Sequence, residues 1–366
     1  MTDEVTLEVN GKIISGWDSV RVTRGIERFP SDFDLGLMDY YPGSAGKQLV
    51  KEGNTCVVKI GGDLVITGYV DDWAPSINRA RHEIRATGRG KCEDLVDCSA
   101  EWPNNVISNC TVMDIATRLA SFYGIKVTCD VGDLQTVPQF TINWGESPQE
   151  IIDRVCRWAA LLYYDKPDGS LLLTRVGTKK AASGVAEGVN IEDAYYRKSM
   201  ADRFSYYVGV SLGVSPISGW APGSAYDSVT LATARDPDAA SMRYRKRIIL
   251  VESTMLAKDR AQNCIDWEMN RRYGRAQQLN VTIDSWRDSA GKLWEPNTLI
   301  PVNLPTLQLE NAELLIAEVT FLRDERGTHA QLSLMPPAAF SVQPYEFYHN
   351  DAYREYVRHW PGDRAG

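Results

Sequence analysis

The sequence is poor in the residues on which most metal and hydrolytic chemistry depends. Only four histidines occur (His82, His329, His349, His359), and none approaches a cysteine or another histidine at ligand spacing, so no metal site is expected. The seven cysteines (Cys56, Cys92, Cys98, Cys110, Cys129, Cys156, Cys264) are odd in number, scattered and without a C-x-x-C pair, which reads as free thiols from a reducing compartment. No window is apolar for long enough to span a bilayer. The start, MTDEVTLEVNG, carries acids where a secretory signal carries positive charge, so a chain made and kept soluble, without membrane anchoring, is expected. Cations are in deficit, 40 Lys+Arg against 48 Asp+Glu, a net charge of −8 that argues against broad non-specific nucleic-acid binding and leaves room only for a local basic patch. A G-x-S-x-G elbow is absent. YYPGSAGKQLV (Tyr40 to Val50) imitates a phosphate loop, yet Tyr41 stands at the first glycine position and Gln48 where a metal-binding hydroxyl is needed, so no nucleotide cofactor is expected there.

What is present is an ordinary globular composition, 43% hydrophobic and 24% charged, over 366 residues, enough for two to four domains. Residues 1–92 read as a hairpin-rich antiparallel β domain. In it TCVVKIGGDLVITGYV turns at Gly61-Gly62-Asp63, and strict alternation puts Leu64, Ile66 and Val70 on one face and Val65 and Thr67 on the other. Residues 93–185 change period. Val112, Ile115, Ala116, Leu119, Ala120 and Tyr123 form a helical stripe with a Thr111/Asp114 capping box and a stop at Gly124. A second helix starts at Ser147-Pro148, with Glu150 three places after the cap and a stripe of Ile151, Ile152, Val155, Trp158, Ala159 and Leu162; a hairpin turning at Pro167-Asp168-Gly169 follows. Gly177 to Val189 has the composition of a linker or exposed loop. Residues 186–340 read as a second β domain with an inserted loop and a helix over about 255–273, and 341–366 as an aromatic tail.

The second β region resembles the first. GKQLVKEGNTCVVKI (Gly46 to Ile60) sits beside GKLWEPNTLIPVNL (Gly291 to Leu304), DLVITGYV beside ELLIAEVT, and RHEIRA beside THAQLS, which matches Thr55 with Thr298 and His82 with His329. Three pieces in the same order imply an internal duplication, and SAGKL (Ser289 to Leu293) marks the Gly46-Lys47 segment as a turn between strands.

VKIGGDLVITGYVDDW, WEMNRRYGRAQQLNVTIDSW and LWEPNTLIPVNL, in that order and spacing, resemble the baseplate hub proteins of Mu-like contractile-tailed bacteriophages over nearly the whole chain. That family is similar to the hub regions of type VI secretion spikes. The resemblance implies a mainly β fold: two related antiparallel β-barrel domains beside smaller α+β modules, assembled as a homotrimer around a channel. It implies as partners a trimeric spike protein, the tail tube and other baseplate proteins, with DNA only in transit. It also implies location in the virion tail baseplate after synthesis in the host bacterial cytoplasm. Two similar barrels in a threefold ring would offer six similar surfaces to a sixfold tube and three to a spike. An acidic balance suits a channel that DNA must leave.

Two other readings stand beside it. A secretion spike normally continues into a needle, whereas this sequence ends at Gly366, which favours the phage hub. A tail-associated glycoside hydrolase needs paired carboxylates, for which Asp71/Asp72 and Asp32/Asp34 are the candidates; solvated acids are the simpler reading, and no catalytic residue is assigned. Trp17, Trp73, Trp286 and Trp294 are expected in packing. Interface candidates are Arg271 and Arg272 in MNRRYGR, where the C-terminal helix dipole or an acidic neighbour is favoured over nucleic acid, and the tail aromatics Tyr345, Phe347, Tyr348, Tyr353, Tyr356 and Trp360.

Overall fold

The computed structural model describes residues 3–38, 50–77, 79, 82–132, 134, 136–212, 228–250 and 258–340. The protein is mainly β with α+β pieces. Its first region is β1 (Val5–Val9), β2 (Lys12–Ile14), β3 (Ser19–Gly25), β4 (Asp32–Met38), β5 (Thr55–Ile60), β6 (Asp63–Ile77) and β7 (His82–Gly90). Alternation does its expected work in β1, where Val5, Leu7 and Val9 are buried and the residues between them half-buried. It fails in β6. A register shift opposite Val58/Lys59 sets an extra β6 residue against its partner, so Val65 and Ile66 both turn into the core and Leu64 lies 38% exposed. The expected face of Leu64, Ile66 and Val70 is corrected accordingly: a bulge resets the two-residue period, and period alone does not announce it.

The α+β module packs separately on its own core. It comprises α1 (Asp94–Asp97), β8 (Val106–Thr111), α2 (Val112–Ser121), β9 (Val127–Cys129), β10 (Thr136–Thr141), α3 (Pro148–Trp158), β11 (Leu162–Asp165) and β12 (Leu171–Thr174). Both capping boxes form: the Asp114 N–H donates to Thr111 Oγ1 at 3.2 Å and the Glu150 N–H to Ser147 Oγ at 3.2 Å. Val112, Ile115, Ala116, Leu119 and Ala120 are buried along α2, and the chain leaves it through Gly124 at φ +61°.

The rest supplies β13 (Val185–Ala186), β14 (Ile191–Lys198), β15 (Tyr206–Leu212), β16 (Ser228–Arg235), α4 (Pro237–Met242), β17 (Lys246–Leu250), α5 (Lys258–Arg275), β18 (Gln277–Ile283), β19 (Leu299–Leu304), β20 (Leu309–Asp324) and β21 (Gly327–Met335). The segment expected as a linker is a strap. Lys180 bridges to Leu299 and β13 runs parallel to β19, so close that a Cβ on Gly184 would sit 1.8 Å from the Pro301 carbonyl oxygen. Its small residues serve backbone approach as well as turning. The α5 helix, expected over 255–273, runs over Lys258–Arg275, with Cys264 and Ile265 buried and Met269 packed beside them; residues 255–257 lie outside the described residues.

The duplication is written in the strand pairing. Both β regions belong to one 13-stranded sheet. In the first the neighbours run β3-β4-β7-β6-β5, and in the second β14-β18-β21-β20-β19, antiparallel throughout. Each copy has a bulge at the same place, Val70/Asp72 in β6 and Ile316/Glu318 in β20, 246 residues apart. Each is entered through a left-handed residue, Gly53 (φ +78°) or Asn297 (φ +62°), whose N–H donates to the Val70 or Ile316 carbonyl at 2.7 and 2.9 Å. These bonds match Asn54 with Thr298, and the register matches Glu83 with His329, so the sequence pairings of Thr55 with Thr298 and His82 with His329 slip by one residue. Between β14 and β18 the second copy carries an inserted unit in which the sheet β16-β15-β17 packs on α5. The copies are joined inside the chain by antiparallel pairing of the distal half of β20 with β3, from Glu318 opposite Gly25 to Arg323 opposite Val20. Among the described residues the pairings trace an open path of strands.

Candidate interaction surfaces

The basic end of α5 comes to lie against the first β region and the α+β module. Arg271 reaches Glu27 at 3.6 Å, and Arg275 pairs with the same carboxylate. Arg272 donates through Nε to Glu268 at 2.6 Å and through Nη1 to the Asp202 carbonyl oxygen at 3.2 Å. Burial, then the charge of Arg275, pushes the Arg271 guanidinium below its usual value. A groove of about 430 Å³ opens beside the helix, lined by Arg197, Asp202, Trp267, Glu268, Arg271 and Arg272. Four arginines, Arg197, Arg271, Arg272 and Arg275, share it with two carboxylates, Asp202 and Glu268, so acids interrupt a lining that is positive on balance. The acidic neighbours expected for Arg271 and Arg272 are therefore present in the same chain.

Two further surfaces are backbone edges. The distal half of β6, Asp72 to Ile77, continues beyond the end of β5 and, among the described residues, pairs on one side only, with β7. Ile77 there is 84% exposed. At the other end of the sheet β14 pairs with β18 alone among the described residues, with Tyr195 61% exposed and Ala194 and Tyr196 leaning on the core. Unpaired edges of this length are templates for another strand. Sequence reasoning did not single them out, although two signals existed: β6 has 15 residues against 6 in β5, and the second copy continues as Val319 to Phe321, where the first has Trp73 to Pro75. The inserted unit also exposes Met242, Tyr244, Ile248 and Leu250.

The carboxylates considered for catalysis all lie in strands, Asp32 and Asp34 in β4 and Asp71 and Asp72 in β6, and each accepts a side-chain hydrogen bond. Asp32 accepts from Arg28 at 2.6 Å, Asp34 from Arg85 at 2.7 Å, Asp71 from Arg89 at 2.7 Å and Asp72 from Thr87 Oγ1 at 3.3 Å. Glu93 is pushed up to about 8 by burial and then by the charge of Asp71. It sits 3.3 Å from Arg89. Trp17, Trp286 and Trp294 are buried and Trp73 packs partly against the same core; Trp286 Nε1 donates to the His329 carbonyl oxygen at 2.8 Å. Among the described residues no group of His, Cys, Asp and Glu has metal-holding geometry, and no helix is long and apolar enough to cross a membrane. The tail aromatics Tyr345, Phe347, Tyr348, Tyr353, Tyr356 and Trp360 and the loop around Gly46-Lys47 lie outside the described residues.

A duplicated sheet carrying an inserted unit places the chain in the fold class of phage tail proteins. Three family models match in order: the N-terminal domain of the Mu phage baseplate assembly protein GpP-like family over residues 4–90, the second domain of the baseplate hub protein gp44-like family over 92–175, and the fourth domain of the Mu GpP family over 253–343. Baseplate hub protein gp44 of Escherichia phage Mu is 31% identical over 350 residues, covering 93% of this chain and 90% of gp44. The chain belongs to the Mu gp44-like family of phage baseplate hub proteins. Among solved structures, the 43 kDa tail protein of prophage MuSo2 from Shewanella oneidensis is 31% identical with a TM-score of 0.80, covering 94% of this chain and 100% of that one. A tail protein from Neisseria meningitidis shares the fold at 20% identity with a TM-score of 0.75, covering 94% of this chain and 100% of that chain. A type VI secretion component of E. coli shares it at 9% identity with a TM-score of 0.57, covering 93% of this chain and 79% of that chain.

Proposed function

We propose that this baseplate hub protein works without catalysis, as a homotrimeric ring at the centre of the tail baseplate. It presents six similar surfaces to the tail tube and three to a trimeric spike, and DNA passes through its channel. The observation that carries this reading is the repeated five-strand unit with its shared bulge: three copies of a chain built twice on one plan supply six near-equivalent units under threefold symmetry. The mixed-charge groove beside α5 and the exposed apolar residues of the inserted unit are the surfaces available to other baseplate proteins. On this reading the protein is synthesised in the host cytoplasm and incorporated into the virion.

The test is native mass over a concentration series. A species at three times the 40.9 kDa chain supports the ring; a monomer at every concentration, with and without the spike protein, overturns it. Release of soluble fragments from purified peptidoglycan, lost on substituting one carboxylate, would overturn the non-catalytic part.

A further inference from the structure

The groove beside the last turns of α5 holds more donors than acceptors. Among the described residues the Arg197 guanidinium, which lines it from β14, has neither an ion pair nor a hydrogen bond. Arg271 is half-buried and reaches a single carboxylate, Glu27, at 3.6 Å, where Arg275 pairs with the same oxygen atom. The Arg271 guanidinium stands 5.2 Å from the centre of the Trp267 ring, and the buried Trp267 Nε1 has no hydrogen-bond partner among the described residues. Guanidinium and indole donors left short of acceptors are costly where water is scarce. A carboxylate entering the groove meets two guanidiniums with charge to spare, and charge-assisted bonds of that kind are the strong ones.

The described chain ends against this same wall. Phe340 lines a neighbouring cavity of about 370 Å³ that shares Arg271 and Arg275 with the groove. Arg275 donates through Nε to the Ala339 carbonyl oxygen at 3.2 Å, and a Cβ on Gly274 would collide with the Ala339 nitrogen, so glycine is what lets the departing chain press on the helix. Residues 341–366 follow and begin SVQPYEFY. Glu346 is their first charged residue, and as far as Tyr353 the only other formal charge is Asp351, also an acid. The groove carries four arginines against two carboxylates, so the first half of the tail and the groove are of opposite sign. Six extended residues, Ser341 to Glu346, span up to about 20 Å. The rise of α5 from Trp267 to Arg275 is only about 12 Å.

We propose that residues 341–348 fold back along α5 of their own chain, with the Glu346 carboxylate seated in the groove between Arg197 and Arg271. The tail then supplies the acceptor that the groove lacks. A baseplate protein that uses this surface has to displace the segment first, which makes the tail a placeholder for a later contact. The docking does not depend on the ring, because every group it uses belongs to one chain.

Chymotryptic cleavage of the full chain between Tyr345 and Tyr348, located by mass spectrometry, tests this. Each rate is divided by that of a free peptide of the same sequence, which removes the effect of a substitution on the protease itself. The parent is expected to be cut about tenfold more slowly than its peptide, because cleavage follows the population of the undocked tail. Glu346→Gln and Glu346→Arg are expected to lose that protection. Arg197→Glu together with Glu346→Arg is expected to restore it; Arg197 is exposed on an edge strand, so its replacement leaves the fold in place. A parent cut as fast as its peptide overturns the docking. Protection that survives both Glu346 substitutions overturns the carboxylate as its anchor, and a charge swap that restores nothing overturns the Arg197 pairing. Protection that fades on dilution hands the groove to the tail of another copy and overturns the same-chain reading. Native mass recorded on the same samples reads the ring separately from the docking.

Discussion

The two copies of the five-strand unit differ most where their equivalent bulges lie. In the second copy the extra residue is Ala317, its carbonyl takes the Ile26 N–H at 2.8 Å, and Leu315, Ala339 and Phe340 close a dry cluster around it. In the first copy the extra residue is Asp71, and the surrounding positions hold Arg89 and Glu93, joined by Asp97 through Arg89 at 2.7 Å. One backbone plan thus carries an apolar cluster where β3 pairs beside it, and an ion-pair cluster around the half-exposed Asp71 where, among the described residues, no strand pairs beyond β7. The bulge fixes geometry, while the side chains record what packs beside it.

The largest effect is expected from breaking the junction between the copies. Phe321 is fully buried, edge-on to Trp286 with ring centroids 6.1 Å apart, and Phe321→Ala should cost about 3–5 kcal/mol. Its counterpart change, Pro75→Ala on the exposed edge, should shift the stability of the isolated chain by no more than about 0.5 kcal/mol. Denaturant midpoints at constant slope measure both, and equal losses would end the equivalence. A smaller asymmetry is expected at the left-handed entry residues. Asn297 also accepts from the Gly177 N–H at 2.6 Å and donates to the Arg175 carbonyl at 3.0 Å, tying the strap to the sheet. Asn297→Gly keeps the backbone conformation but drops both bonds, a loss of about 1–3 kcal/mol. Gly53→Asn adds a residue that tolerates left-handed φ and has open space around its Cβ, so a change of only a few tenths of a kcal/mol is expected. Guanidinium titrations of the two variants side by side would separate a tether from a mere turn; a neutral Asn297→Gly removes the tether.

Much of this architecture was legible in the sequence, for identifiable reasons. Capping boxes at Thr111 and Ser147 are local chemistry, and both formed where the spacing put them. The duplication was legible because strand, turn and strand recur in order, yet Thr55 was matched one residue out. The left-handed position is glycine in one copy and asparagine in the other, and identity alignment prefers the repeated Asn-Thr to the conformational match. Bulges were invisible, since an added residue looks like any other until its partner strand is known. The strap was misread because glycine for close approach and glycine for flexibility are the same letter. Edges are a property of what a strand lacks, and sequence lists only what it has. For the basic end of α5 the sequence left the helix dipole and an acidic neighbour side by side, and Glu27, far away in the chain, could not be named in advance.

The finest test of the comparison is its pH dependence, because only in the first copy is the extra residue of the bulge an acid, Asp71, set beside the buried Glu93. Glu93 is pushed up to about 8 from an ordinary value of 4.5, by burial first and by Asp71 second. Between those values the folded protein holds a proton that the unfolded chain has already released, so the unfolded state binds fewer protons and stability falls as pH rises through the window. Arg89, 3.3 Å away, favours the ionised acid and so already holds the rise below what burial and Asp71 alone would give. Glu93→Gln cannot release a proton. Its stability relative to the parent should therefore improve steadily as denaturant midpoints are taken from about pH 5 to about pH 8. A difference that stays constant across that range would mean that Glu93 is already ionised at pH 5. The acidic cluster would then be an ordinary exposed ion-pair network, and the contrast with the dry cluster around Ala317 would lie in composition alone.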